Sequence, residues 1–159
     1  MADITIYTDG AAKGNPGKGG YGTVLISGKF RKELSQGFKL TTNNRMELWA
    51  VIAGLEALKT VGNKVTIYSD SKYVVDSVEK GWVFNWVNKN FKGKKNKDLW
   101  LRFLKEYKKQ VINFIWVKGH SGITENERCD KLAVEASEKK ELLIDEAYEN
   151  SIKETDSLF

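Results

Sequence analysis

The chain has 159 residues, 41% apolar and 30% charged, as suits one soluble globular domain with a sizeable core. Its single cysteine, Cys129, excludes an internal disulfide and a cysteine-rich zinc site, and its single histidine, His120, excludes a histidine-rich one. The net charge of +5 is unevenly spread: residues 80–109 carry ten Lys/Arg against two acids, and residues 135–159 carry eight acids against three lysines. No run of about 18 apolar residues and no signal-peptide pattern occurs, so a cytoplasmic location without membrane contact is expected.

The β-branched alternation over 3–8 predicts a strand, closed by Asp9. A glycine-rich loop is expected from Gly10 to Gly20, around the only proline, Pro16. Tyr21–Ile26 and Phe30–Leu40 predict two more strands, with Ser27-Gly28 as the hairpin turn. Thr42 is a candidate N-cap for a helix from Asn43 to about Lys59, with an apolar stripe through Met46, Ala50, Ala53 and Ala57. Lys64–Ser69 predicts a strand closed by Asp70, and a helix follows from about Ser71.

Residues 81–97 are expected to be irregular. They are basic, with Trp82, Phe84, Trp86 and Phe91 interleaved, which reads as a nucleic-acid patch more than a solvated helix face. Asn96 is a candidate N-cap for a helix through Leu99, Phe103, Leu104 and Tyr107, and Val111–Val117 predicts a final strand. After the loop Lys118–Gly122, Thr124-x-x-Glu127 has the capping-box spacing for another helix. Element order implies a five-stranded mixed sheet with helices on both faces. The domain is placed at 1–140, with an acidic tail at 141–159 expected to be partly disordered.

Four acids stand out: Asp9, Glu47, Asp70 and Asp130. If the 3–8 and 64–69 strands are parallel neighbours, Asp9 and Asp70 meet at their C-terminal ends, the usual ligand position in open α/β sheets. Converging carboxylates need a cation, and oxygen-only ligands suit a hard one. Each acid also has a plainer reading alone. Asp9 and Asp70 could be turn formers or caps, Asn44-x-x-Glu47 fits a capping box, and Asp130 could answer the helix dipole. Gly17-x-Gly19-x-x-Gly22 matches a dinucleotide fingerprint in letters but leads into a strand, so that reading fails. His120, between two glycine-containing turns, could shuttle protons.

The stretches Tyr-Thr-Asp-Gly (7–10), Gly-Gly-Tyr-Gly (19–22), Thr-Thr-Asn-Asn-Arg-Met-Glu-Leu (41–48), Ser-Asp-Ser-x-Tyr-Val (69–74), Trp-Val-Lys-Gly-His (116–120) and Glu-Asn-Glu-Arg-Cys-Asp (125–130) resemble the bacterial type 1 ribonuclease H family, in that family's order. The resemblance implies a ribonuclease H-like α/β fold and a monomeric endonuclease. It would cut the RNA strand of an RNA–DNA hybrid by a two-metal-ion mechanism, leaving 5′-phosphate and 3′-hydroxyl ends. It makes Asp9, Glu47, Asp70 and Asp130 the ligands of two Mg²⁺ ions, with Mn²⁺ as an alternative, and His120 the proton-transfer or product-release histidine. It also implies that Asn15, Asn43 and Asn44 face the hybrid's minor groove, and that Thr42 and Asn96 hold a phosphate of the DNA strand. Trp82, Trp86, Lys94 and Lys95 would grip that strand. The chain departs from the pattern at Phe91, where a tryptophan is common, in a shorter Phe91–Asp98 stretch, and at Ile123-Thr124 in place of His-Pro. Two other readings stay open: a related nuclease of the same broad fold, and a catalytically idle hybrid-binding module.

Overall fold

The computed structural model describes the backbone of residues 2–157 and the side chains of residues 2–154. Strands β1 (Asp3–Ala12), β2 (Gly17–Ser27), β3 (Phe30–Thr41), β4 (Lys64–Ser69) and β5 (Val111–Trp116) form one sheet in the order β3-β2-β1-β4-β5. β1–β2 and β2–β3 are antiparallel, and β1–β4 and β4–β5 are parallel. The parallel pairs are the ones whose connections contain helices, as parallel pairing requires.

Residue alternation sorts the sheet into two faces. Ile4, Ile6, Val65, Ile67 and Phe114 point to one face and pack under α1 (Asn43–Glu56), α2 (Lys72–Glu79), α3 (Trp82–Asn88) and α4 (Lys97–Tyr107). Ile6, Leu48, Ile52, Leu55, Val65 and Ile67 are almost wholly buried there, each contributing about 1.5–3 kcal/mol of transfer free energy. The other face carries Val24, which packs against Cys129 and Leu132 of α5 (Thr124–Ser137). The expected mixed sheet with helices on both faces is therefore present. Among the described residues no helix is long and apolar enough to cross a membrane.

The structure differs from sequence expectation in five places. β1 continues through Asp9 to Ala12, and β2 starts at Gly17, so most of the expected glycine loop is sheet. Gly20, from that expected loop, and Gly22, in the strand beyond it, provide space: a Cβ on either would overlap the α5 backbone, at Ala133 or Cys129. Second, residues 82–88 form α3, because Val83 is buried in the core and Trp86 packs on Trp100 at 6.0 Å. Phe91, read as part of a binding series, is 4% exposed and belongs to that core.

Third, Asn96 precedes α4 in a left-handed conformation and makes no side-chain cap. Fourth, Thr124 is the first residue of α5, not its cap, and Ile123 occupies the cap position without a side-chain bond. Glu125 and Glu127 in the first turn answer the helix dipole instead. Fifth, the segment expected to be a loose tail is structured as far as it is described. Leu143 pairs its backbone with Gly37 and Lys39 of β3, Asp145 is buried, and α6 covers Glu146–Ser157. Residues 158 and 159 lie outside the described residues.

Candidate active site and nucleic-acid groove

The β1–β4 ladder runs from Asp3↔Lys64 to Tyr7↔Tyr68. Beyond it the strands part, and Asp9 and Asp70 stand on either side of the opening. α1, packed over β1, brings in Glu47. This approach requires Gly10, because a Cβ there would overlap the backbone of Met46 and Glu47. The bare Gly10 N–H donates to Asp9 Oδ1 at 2.9 Å and to Glu47 Oε1 at 3.0 Å, so one backbone donor clamps two carboxylates. Carboxylate oxygens of Asp9, Glu47 and Asp70 all lie within 4.8 Å of one another.

Asp130, on α5, lines the same cleft, as do His120, Asn43 and Asn44; its volume is about 430 Å³. The tight cluster thus has three acids, with Asp130 at its rim. Burial and then the Asp70 charge push the Asp9 carboxyl from 3.8 up to about 7, with Asp130 adding to the rise. Burial and then Asp9 and Asp70 push Glu47 well above the carboxylate range. Glu47 Oε2 is buried with no hydrogen-bond partner in the protein. A buried, unpartnered carboxylate oxygen aimed among other carboxylates is costly without a cation.

His120 is exposed on its loop, in a left-handed conformation at φ 55°. The loop lies directly against the cluster, since a Cβ on Gly119 would stand 2.9 Å from Asp70 Oδ2. The Trp116 indole N–H donates to the Asp70 carbonyl at 3.1 Å and fixes that strand end.

Beside the cleft runs a groove of about 790 Å³, lined by Asn44, Trp82, Trp86, Lys94, Lys95 and Asn96 among others. Lys80 sits 5.3 Å over the Trp82 ring and Lys94 5.4 Å over the Trp86 ring, so cations and aromatic faces alternate. Phe84 packs on Tyr107, at 5.6 Å between centroids, and does not line this groove. Asn44 and Tyr73 line both spaces and join them.

Asn15 and Asn43 are tied together, since Asn43 N donates to Asn15 Oδ1 at 3.0 Å, and Asn43 Oδ1 accepts from Ala12 N at 2.6 Å. Their carbonyl oxygens are used, which leaves the amide N–H groups as the outward donors. Thr42 caps α1, accepting from Arg45 N at 3.3 Å, and does not line the groove. Sequence reasoning assigns no role to Tyr73 or Arg45. Arg45 left one signal, a cation in the first turn of a helix, where the dipole opposes it.

A mixed sheet that splits around clustered carboxylates, beside a cationic aromatic groove, defines a nuclease of the ribonuclease H-like class. The family model for RNase H matches residues 1–138. The ribonuclease H of Rippkaea orientalis is 54% identical over 157 residues, covering 96% of each chain. The chain belongs to the ribonuclease H family, and it is a hybrid-specific endoribonuclease that hydrolyses the RNA strand of RNA–DNA hybrids. Among solved structures, LC9-RNase H1, a type 1 RNase H, matches with a TM-score of 0.78 at 28% identity, covering 86% of this chain and 72% of that one. LC11-RNase H1 in complex with an RNA/DNA hybrid matches with a TM-score of 0.60 at 25% identity, covering 91% of this chain and 99% of the other.

Proposed function

We propose that Asp9, Glu47, Asp70 and Asp130 hold two Mg²⁺ ions, or Mn²⁺, at the scissile phosphate of the RNA strand, and that the groove holds the DNA strand. The observation that carries this reading is the unpartnered, buried Glu47 Oε2 within a cluster of three carboxylates. All donors are oxygens, the set that suits a hard divalent ion. When bound, such ions supply the positive charge that activates a water and stabilises the leaving oxygen in a phosphodiester displacement.

The protein's own groups do the positioning. Gly10 N–H orients two carboxylates at once. His120, exposed on a loop at the cleft wall, takes a proton from the attacking water or gives one to the leaving 3′ oxygen. That polarity leaves 5′-phosphate and 3′-hydroxyl ends. Asn15, Asn43 and Asn44 present amide donors to the minor groove, where the 2′-hydroxyl separates RNA from DNA. Asn96 contacts a phosphate of the DNA strand, with Thr42 acting through the start of α1. Trp82 and Trp86 stack, and Lys94 and Lys95 neutralise phosphates, without reading sequence. The chain acts as a monomer in the cytoplasm.

The test is cleavage of matched RNA–DNA, RNA–RNA and DNA–DNA duplexes with and without Mg²⁺. Only the hybrid should be cut, only in its RNA strand and only with the ion. Asp70→Asn should lose that activity while keeping its circular dichroism spectrum. Normal hybrid cleavage by Asp70→Asn would refute the carboxylate mechanism, and metal-independent cleavage would refute the role of the ion.

A further inference from the structure

We propose that Asp145, immediately before α6, is a positioning residue for the DNA-strand groove, acting through Arg45 and Asn96. The inference rests on the groove reading above. Arg45 is 3% exposed and sits in the first turn of α1, where the helix dipole disfavours a cation. It is retained there because its charge is matched on two sides.

Asp145, 5% exposed, accepts from Arg45 Nε at 2.7 Å and Nη2 at 2.8 Å, and from Thr41 Oγ1 at 2.8 Å. Across the guanidinium, Asp98 accepts from Nη1 at 2.9 Å and Nη2 at 2.8 Å. The remaining Nη1 hydrogen reaches Asn96 Oδ1 at 3.4 Å. All five guanidinium hydrogens therefore have acceptors, so the plane of the group is fixed from both ends. Burial alone would lower the Arg45 pKa, but Asp98 and Asp145 outweigh it and raise it.

Asn96 is the link to the groove. It holds a left-handed φ of 67° and makes no cap, so its side chain is free for other work. Its carbonyl takes the Arg45 hydrogen bond, and its Nδ2 donates to the Tyr73 hydroxyl at 3.1 Å. Tyr73 lines both the groove and the acid cleft. A continuous line of hydrogen bonds thus runs from the segment before α6 to the wall between the two substrate spaces. Without the Asp145 charge and its second carboxylate oxygen, Arg45 is held chiefly from the Asp98 side. Its bond to Asn96 is the longest of the five and the first to loosen.

The test compares Asp145→Asn with wild type in steady-state cleavage of a hybrid, alongside the Lys94→Ala/Lys95→Ala double variant. Asp145→Asn should raise KM roughly tenfold with kcat within about twofold, the pattern of weakened uniform binding. A merely structural role would shrink the folded fraction, lowering apparent kcat and leaving KM unmoved. Arg45→Lys, which keeps the charge but not the fork, should give the same KM rise if Asp145→Asn folds poorly. An unchanged KM in both Asp145→Asn and Arg45→Lys, with a raised KM in Lys94→Ala/Lys95→Ala, overturns the positioning role alone. An unchanged KM in all three overturns the groove reading and this inference with it.

Discussion

Replacing Asp9 by Asn should stabilise the metal-free protein while removing its catalysis. Asn keeps the shape of the side chain, and its Oδ1 can still accept from Gly10 N. What it lacks is the charge. In the wild type, burial and then the Asp70 charge lift the Asp9 carboxyl from 3.8 to about 7. An acid with a raised folded-state pKa binds its proton more tightly folded than unfolded. Its stabilising contribution is fully present below about pH 4, falls as the pH climbs to about 7, and is gone above that. At ~1.4 kcal/mol per pH unit, the window is worth ~4 kcal/mol at pH 8. Glu47 is shifted in the same direction for the same reasons, so it deepens the effect.

Part of the strain remains after the substitution, because Glu47 and Asp70 still face each other. A gain of ~2–4 kcal/mol is therefore expected for Asp9→Asn, on the same scale of ~1.4 kcal/mol per pH unit. The assay is urea unfolding followed by circular dichroism at pH 8 with EDTA. Wild type should itself gain stability as the pH is lowered from 8 to 5.5, and Asp9→Asn should gain less. Adding Mg²⁺ at pH 8 should stabilise wild type by mass action and the variant far less. If Asp9→Asn is no more stable than wild type in EDTA, or responds equally to Mg²⁺, the reasoning is refuted.

Two further outcomes follow from the geometry. Lys94→Ala/Lys95→Ala should weaken hybrid binding and reduce the slope of log K against log salt by roughly one to two units, about one for each phosphate no longer neutralised, measured by fluorescence anisotropy; an unchanged slope would place the grip elsewhere. Gly10→Ala should cost ~3 kcal/mol or more of stability by forcing α1 off β1, and should lower kcat by moving Glu47; a variant with the wild-type urea midpoint and rate would contradict the close approach.

The sheet is legible in the sequence because β-branched alternation and turn residues mark strands locally, and one assumption of parallel pairing places Asp9 and Asp70 correctly relative to each other. Three of the places that differ share a cause: a residue's use is set by partners far away in sequence. Gly20 looks like a loop glycine, but α5, more than a hundred residues on, needs its missing side chain. Phe91 looks like a binding aromatic because its neighbours are lysines, yet it is buried in the core cluster that β1, β4 and α1 share. Asp145 looks like one more acid in a charged tail. Only the fold shows that it meets a cation a hundred positions earlier.

The fold also weighs against the plainer readings of the four acids. If they were ordinary structural acids, they would be occupied in caps, turns or ion pairs. Thr42 and Ser71 cap α1 and α2 through their hydroxyls, so neither Glu47 nor Asp70 is needed for that task. Asp9 lies within a strand and not in a turn, and Asp130 is beyond the first turn of α5. The cluster instead raises the pKa of Asp9 and Glu47, which makes it a cost to the metal-free fold. A sequence free to optimise stability would place neutral groups at these positions. Mutually repelling carboxylates around a buried, unpartnered oxygen are what the proposed metal-binding role predicts.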